Sequence, residues 1–587
     1  MPSLQIPVLY DQALDPGSLT FELAASGFVE HPDDNTTSEC LRGSRLEPFT
    51  ELNLLRSLST LYLSSKQSPR LSRSRLGMRA VQLAVRRLEF FTGIFQCRYT
   101  WTQAGQAPTI NVQSIRRPAV PDLDSLAARV ARLKRVGTDA KVHHILSTVR
   151  AELTAEMHDV KPRHIALMLG SLHRLTSASI DVRRFLAVIA PMIEECREEF
   201  TAKHISESLF GLHSCNSASA EVRMVLRALA LKINGCTDPM SAQDVGDSLD
   251  GLHQCSSEYA EVREVLSALT SKIASCTQLD AVAIGRALWG LQICSSEHAE
   301  VRGLLRALAP KIEACNEPLG AHFPSTALHG LRSCISAHEE VRELLRVLAP
   351  KIAQSEHPLT AHRISMAMSG LRGFSSDDTS VRDVLKALAP LISRCTELLQ
   401  GHDVGTALRG LHRCCSEHVE VRAVLRAFVP RVATSSCLEP PAICDALYGL
   451  QRCSSEHEEV RDLLKALAQK FTSCPAELPA QCIERAMTGL QGCDSAFAEV
   501  RELLHALALV IGQSSEPLSP SAIHATLMGL RGCRSDHAEV CELLRALTPL
   551  LSRATLDPAL VTAALDGLRF CKWDEPAVRD FLWGLCK

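Results

Sequence analysis

The chain has 587 residues, 46% of them apolar, 22% charged and only 4% aromatic, a globular composition whose apolar positions are filled by leucine and alanine. That balance favours closely packed helices over sheets, and a formal net charge of −3 excludes the overall basic excess of a non-specific nucleic-acid binder. No run of eighteen apolar residues predicts a membrane span, and twenty-three cysteines without a secretory signal predict a soluble protein in a reducing compartment.

Residues 1–50 form an acidic leader, with Asp11, Asp15, Glu22, Glu30, Asp33 and Asp34, and are expected to be disordered. Residues 51–120 are basic and rich in Arg, Ser and Leu. From Leu52 to Leu88 there are eight basic residues and no acidic one, the composition of an organelle transit peptide or of a basic linker. Translation from Met78 instead of Met1 would give MRAVQLAVRRLEFF, a start suited to mitochondrial import. A mitochondrial location is expected on this ground, with the plastid or the cytoplasm as alternatives.

Residues 161–587 repeat. A Gly-Leu landmark recurs at Gly211, Gly251, Gly290, Gly330, Gly370, Gly410, Gly449, Gly489, Gly529 and Gly567, with Ser171 in the first copy. Eleven residues further on each copy carries a valine, from Val182 to Val578. The expected fold is all-α: a right-handed superhelical α-solenoid of about eleven helical hairpins of 38–41 residues. Residues 121–160 read as a degenerate capping repeat, since Val142 precedes Val182 by forty residues.

With the landmark glycine as position zero, apolar residues fall at −6, −3, −2, +1 and +4, for example Ile443, Ala446, Leu447, Leu450 and Cys453. At 100° per residue this is one stripe of an amphipathic helix, helix A. Serine pairs such as Ser295 and Ser296 are expected to cap a following helix B, whose first turn is acidic. Prolines nine residues after the valine, such as Pro191, Pro310 and Pro350, are expected to end or kink helix B. One hairpin cannot cover both of its apolar stripes, so neighbouring units must stack.

Functional information is expected at two positions outside the core. Position −1 varies strongly, including Phe210, Trp289, His329, Arg409 and Tyr448. Such variety suits either a reader of a linear ligand or a freely drifting solvated position. Position +2 is never acidic or apolar: His213, His253, Gln292, Arg332, Arg372, His412, Gln451, Gln491, Arg531 and Arg569 can all donate hydrogen bonds, to a phosphate backbone or to a neighbouring helix end. The arginine that follows the landmark valine in ten of eleven copies reads as an inter-repeat ion-pair partner of the acids just before it, such as Glu300 and Glu340. Cysteine at +4 in nine copies reads as a small buried residue. No nucleotide-binding loop, nucleophile arrangement or metal-ligand spacing survives its context, so neither catalysis nor a cofactor is expected.

The unit AxxIxxALYGLQRCSSEHEEVRDLLKALA, and Ala287, Leu288, Trp289, Gly290 and Leu291 above all, resembles the octotricopeptide-type repeat. More loosely it resembles the leucine-rich helical region of FAST-kinase-like mitochondrial proteins and the helical-repeat subunits of RNA-editing substrate-binding complexes. The turn here is Ser-Ser-Glu-His where that family favours prolines and Trp. The resemblance implies binding of single-stranded organellar RNA through a concave helix A face, acting in RNA processing, stability or translation. The alternative is a protein-interaction scaffold of armadillo or HEAT type with no nucleic-acid role.

Overall fold

The computed structural model describes residues 123–586 apart from 136–138, 154–159, 318, 436–437, 474–476 and 552–557. The acidic leader, the basic segment, Met78 and Cys474 lie outside the described residues.

Twenty-four α-helices and no strand occur among the described residues. They begin with α1 (Leu123–Ala131) and α2 (Asp139–Leu153), the divergent first pair, and continue as eleven hairpins from α3 (Pro162–Gly170) and α4 (Ile180–Glu195) to α23 (Pro558–Gly567) and α24 (Pro576–Cys586). Each helix A packs on the helix A of the units before and after it, and each helix B on its counterparts, so two parallel layers of helices make an α-solenoid. The glycine landmarks recur every 38 to 40 residues.

The repeated apolar pattern fills the space between the layers. Ile443, Ala446, Leu447, Leu450, Cys453 and Val460 are all fully buried, as are their equivalents in most units. Each large aliphatic residue so placed contributes roughly 1.5–3 kcal/mol of burial. Helix A is short, nine residues in most units, and a side chain just before it caps several copies: Thr201, Ser241, Asp280, Thr360 and Ser519 each accept the backbone N–H three residues on.

The landmark glycine is a packing requirement. A Cβ on Gly251 would lie 2.1 Å from the carbonyl oxygen of Leu209 in the preceding unit, and Gly211, Gly290, Gly370 and Gly449 stand equally close to theirs. Only a residue without a side chain lets successive A helices approach this closely.

Helix A ends at this glycine and does not run on to +4. The next residues turn through i to i+3 hydrogen bonds, such as Leu212 N–H to Leu209 O at 2.8 Å and Cys215 N–H to Leu212 O at 2.7 Å. Position +2 therefore lies in a turn, directly over position −1.

The serine pairs do not cap helix B, whose N-cap side chains make no capping bond in units such as those starting at Ala260 and Ala299. The second serine is buried and bonds to the next unit instead. Ser217, Ser257, Ser336, Ser376 and Ser416 accept the N–H of Ser256, Ser295, Ser375, Cys415 and Ser454 at 2.8–3.0 Å. A backbone donor that would otherwise be orphaned at each junction is satisfied in this way. The first serine braces its own turn, as Ser295 Oγ does by accepting the Glu297 N–H at 3.2 Å.

The arginine after the valine also differs from expectation. Arg302 donates to Ser296 O and Glu297 O, both at 2.8 Å, and Arg223, Arg382 and Arg461 repeat this, stapling the turn of their own unit. Its inter-repeat ion pairs are long, 3.8 Å from Arg263 to Glu300 and 4.0 Å from Arg223 to Glu261. Where cysteine replaces it, the Cys541 thiol makes the equivalent bond to Ser535 O at 3.3 Å.

The prolines do not end helix B. Pro191, Pro310, Pro350, Pro390 and Pro430 sit inside it, and only Pro549 falls in a 3-10 turn, Thr548–Leu550. The last turn persists because its apolar residue, Ile312 or Ile352 for instance, is fully buried in the core, which offsets the hydrogen bond that proline removes.

The +4 cysteines are buried as expected. Their thiols donate to the carbonyl of the preceding unit, as from Cys294 to Cys255 O at 3.5 Å and from Cys334 to Cys294 O at 3.6 Å. Burial pushes the Cys334 thiol up to about 12, so it stays protonated and unreactive. No helix among the described residues is long and apolar enough to cross a membrane.

Candidate functional site

The turn after helix A determines what positions −1 and +2 do together. In nine units the +2 amide donates to the −1 carbonyl, as from His213 to Phe210 O and from Arg332 to His329 O, both at 3.1 Å. The two side chains thus emerge one above the other. Units stack in register, so the +2 side chain of one unit also meets the −1 side chain of the next. The two ladders expected from the sequence are a single ridge.

Aromatic rings fill the first half of this ridge as a continuous column. His173 stacks on Phe210 at 5.6 Å between centroids, and Phe210 leans on His213 at 6.2 Å. His213 stacks on His253 at 4.7 Å, His253 on Trp289 at 5.2 Å, and Trp289 on His329 at 5.4 Å, with interplanar angles of 15–27°. Farther along, His412 stacks on Tyr448 at 5.6 Å. Each such pair contributes roughly 0.5–1.5 kcal/mol beyond the area it buries. The ring faces are therefore largely occupied by one another. Stacking of a linear ligand on these ring faces, one of the two readings of position −1, would require the column to open.

Hydrogen bonding follows the same inter-unit logic. The carbonyl of Asp250 accepts from His213 Nδ1 at 2.9 Å, and the hydrogen bond to the Asp250 carboxylate holds this imidazole above its ordinary pKa. His253 and His329 go the other way: burial in the stack lowers both to about 4, helped by the neighbouring charge of His213 and of Arg332 respectively. Burial also lowers His412. Three of the histidines are consequently neutral at pH 7 and do not attract phosphate by charge.

Gln292 is almost fully buried and donates to His253 O at 3.2 Å, so this member of the +2 set is structural. Gln451 and Gln491 are half-buried. Arg332 is exposed; its Nε donates to Gln292 O at 3.3 Å and its Nη1 lies 3.3 Å from His329 Nε2. His329 Nδ1 in turn reaches Ser369 Oγ at 3.1 Å.

The ridge carries charges of both signs. Arg286, which the sequence reading did not single out, pairs with Asp247 and lies 3.5 Å from Asp250, with its guanidinium over the Phe210 ring. Arg409 lies over Tyr448 and reaches Asp445 at 3.2 Å, and Arg485 reaches the same carboxylate oxygen at 3.1 Å. At the far end Arg531 and Arg569 both pair with Asp566, at 3.2 and 3.5 Å. The signal for Asp247, Arg286, Asp445 and Arg485 was helical spacing: each lies three residues before a −1 position, on the same side of helix A. Among the described residues no group of three His, Cys, Asp or Glu side chains is placed to hold a metal ion.

No protein-family profile matches the chain, and no curated protein matches it. Among known structures it is similar to a "Homology model of the full-length AP-3 complex in an intermediate open conformation", with 13% identity over 88% of this chain and 82% of that one. The TM-score is 0.31, too loose a likeness to carry an argument about function.

Proposed function

We propose that the array is a non-catalytic helical-repeat scaffold that binds an extended polypeptide segment of a partner protein along the −1/+2 ridge. The observation that carries this reading is that the ridge presents both charges: the acids Asp247, Asp250, Asp445 and Asp566 are set among Arg286, Arg332, Arg372, Arg409, Arg485, Arg531 and Arg569. A polypeptide offers side chains of both signs together with backbone donors and acceptors. A nucleic acid offers phosphates of one sign, which Asp247, Asp250 and Asp566 would repel. Aromatic and arginine side chains are also the types enriched at the energetic centre of protein interfaces.

Selection of short random peptides against the full-length chain tests this. Selected peptides should lose binding to Trp289→Ala and to His253→Ala; peptides that bind these variants as well as wild type would refute the ridge as their site.

A second reading, the binding of single-stranded organellar RNA implied by the repeat resemblance, is favoured by the exposed Arg332 and Arg372. It predicts retardation of single-stranded RNA whose salt dependence flattens when Arg332, Arg372, Arg531 and Arg569 are changed to Ala. A mitochondrial address is proposed on the basic segment alone, and N-terminal sequencing of the mature protein tests it.

A further inference from the structure

The ridge supplies an acid to most of its arginines, with two departures, Arg332 and Arg372. Arg286 has Asp247, Arg409 and Arg485 share Asp445, and Arg531 and Arg569 share Asp566. Arg372 is exposed and has no ion-pair or hydrogen-bond partner among the described residues. Its place explains what surrounds it. A +2 side chain meets the −1 side chain of the next unit, as His253 meets Trp289 and His412 meets Tyr448. For Arg372 that neighbour is Arg409, and the +2 residue of the unit before is Arg332. Three guanidiniums from successive units are thus gathered on one stretch of ridge. Arg332 touches only the Gln292 carbonyl and the His329 ring, and Arg409 is the one that holds a carboxylate. The neutral His329 and His412 flank the group, and Tyr448 lies beneath Arg409.

Like charges brought this close are unfavourable without a counter-ion. Partial burial of its guanidinium, and after it the charges of Arg409 and Arg332, lower the Arg372 pKa, with Asp445 opposing them. We propose that Arg332, Arg372 and Arg409 form the seat for a phosphorylated side chain of the bound polypeptide. Two guanidiniums without a carboxylate match the charge of about −1.5 to −2 on a phosphomonoester near neutral pH. Their planar forks also match its oxygens in a way that a single carboxylate would only half satisfy. This rests on the polypeptide reading above and names the chemistry that the segment must carry.

The test uses the full-length chain and three fluorescent probes: a pool of short peptides with fixed phosphoserine and random flanks, the same pool after dephosphorylation, and a single-stranded RNA pool of similar length. The phosphorylated pool should bind about ten-fold more tightly than its dephosphorylated twin. Arg372→Ala should abolish that difference with unchanged helical circular dichroism. Arg306→Ala, which removes a helix B arginine paired with Glu340 away from the ridge, should keep it. Equal binding of the two peptide pools, or a difference that survives Arg372→Ala, overturns the seat while leaving the scaffold intact. If neither pool binds wild type, the polypeptide reading falls and the seat with it. RNA binding that alone depends on Arg372 assigns the cluster to nucleic acid and overturns the proposal as well.

Discussion

Gly330 faces the carbonyl oxygen of Leu288 so closely that a methyl group on its Cα would lie 1.9 Å from that oxygen. Gly330→Ala must therefore push two A helices apart. It should destabilise the protein by at least about 2 kcal/mol, as overpacking against an unyielding neighbour does. Gly303, inside a helix B, has open space where its Cβ would be. Gly303→Ala should stabilise by roughly 0.5–1 kcal/mol. Paired urea melts check both signs at once, and equal effects would show that the close approach is not what the landmark glycine is for.

The serine ladder makes a second claim of the same kind. Ser376 is fully buried and accepts the Cys415 N–H at 2.8 Å across a unit boundary. Ser376→Ala leaves that buried amide without a partner, and should cost about 1–3 kcal/mol in chemical denaturation. Ser375→Ala, at the neighbouring and more open position, removes solvent-accessible bonds from the Asp377 N–H at 3.3 Å, to Asp377 Oδ2 at 2.8 Å and from Arg452 at 3.2 Å, and should cost less because water can replace them.

How far the sequence reached depended on whether a residue's partner lies in its own helix or in the next unit. The stripe through Ile443, Ala446, Leu447 and Leu450 and the landmark valines have a period that can be read directly, and all proved buried. A serine at a helix start reads as a cap, yet Ser257 and Ser416 face a backbone amide one unit ahead, a contact with no local signal beyond the repetition itself. The candidate site shows the same limit. Positions −1 and +2 were both singled out, and at three residues apart they share one side of any helical turn. What has no local signal is the contact between units, through which Trp289 and His253 stack on each other instead of facing a ligand separately.

Thiol reactivity should follow burial. Cys294 and Cys414 are fully buried, with thiols pushed up to about 12. Their labelling by a thiol reagent at pH 8 should proceed only at the rate of global or local unfolding, measurable by mass spectrometry against denaturant concentration. Rapid labelling of the native protein would contradict the packing described.

Stability should fall on mild acidification. Folded His253 and His329 titrate at about 4, below the value near 6.5 of an unfolded histidine. As pH drops from 6.5 towards 4 the unfolded chain takes up protons first, so the stability that these two provide is complete above 6.5 and is lost across that window. His213, raised by the Asp250 carboxylate, acts with the opposite sign: its contribution is present below 6.5 and disappears as pH rises through its folded value. The His253→Gln variant should lose less melting temperature than wild type between pH 7 and pH 5. Ring proton shifts from nuclear magnetic resonance should place His253 well below His213.

Hydroxyl-radical footprinting of the full-length chain, with and without its tightest selected peptide, tests the ridge most directly. Phe210, Trp289 and Tyr448 are half-buried on the ridge, whereas Trp573 and Trp583 are exposed in the last hairpin and its turn. The peptide should protect Trp289 and Tyr448 from oxidation and leave Trp583 unchanged. Protection confined to Trp583 or to helix B residues, with the ridge rings still oxidised at their free rate, would contradict the account.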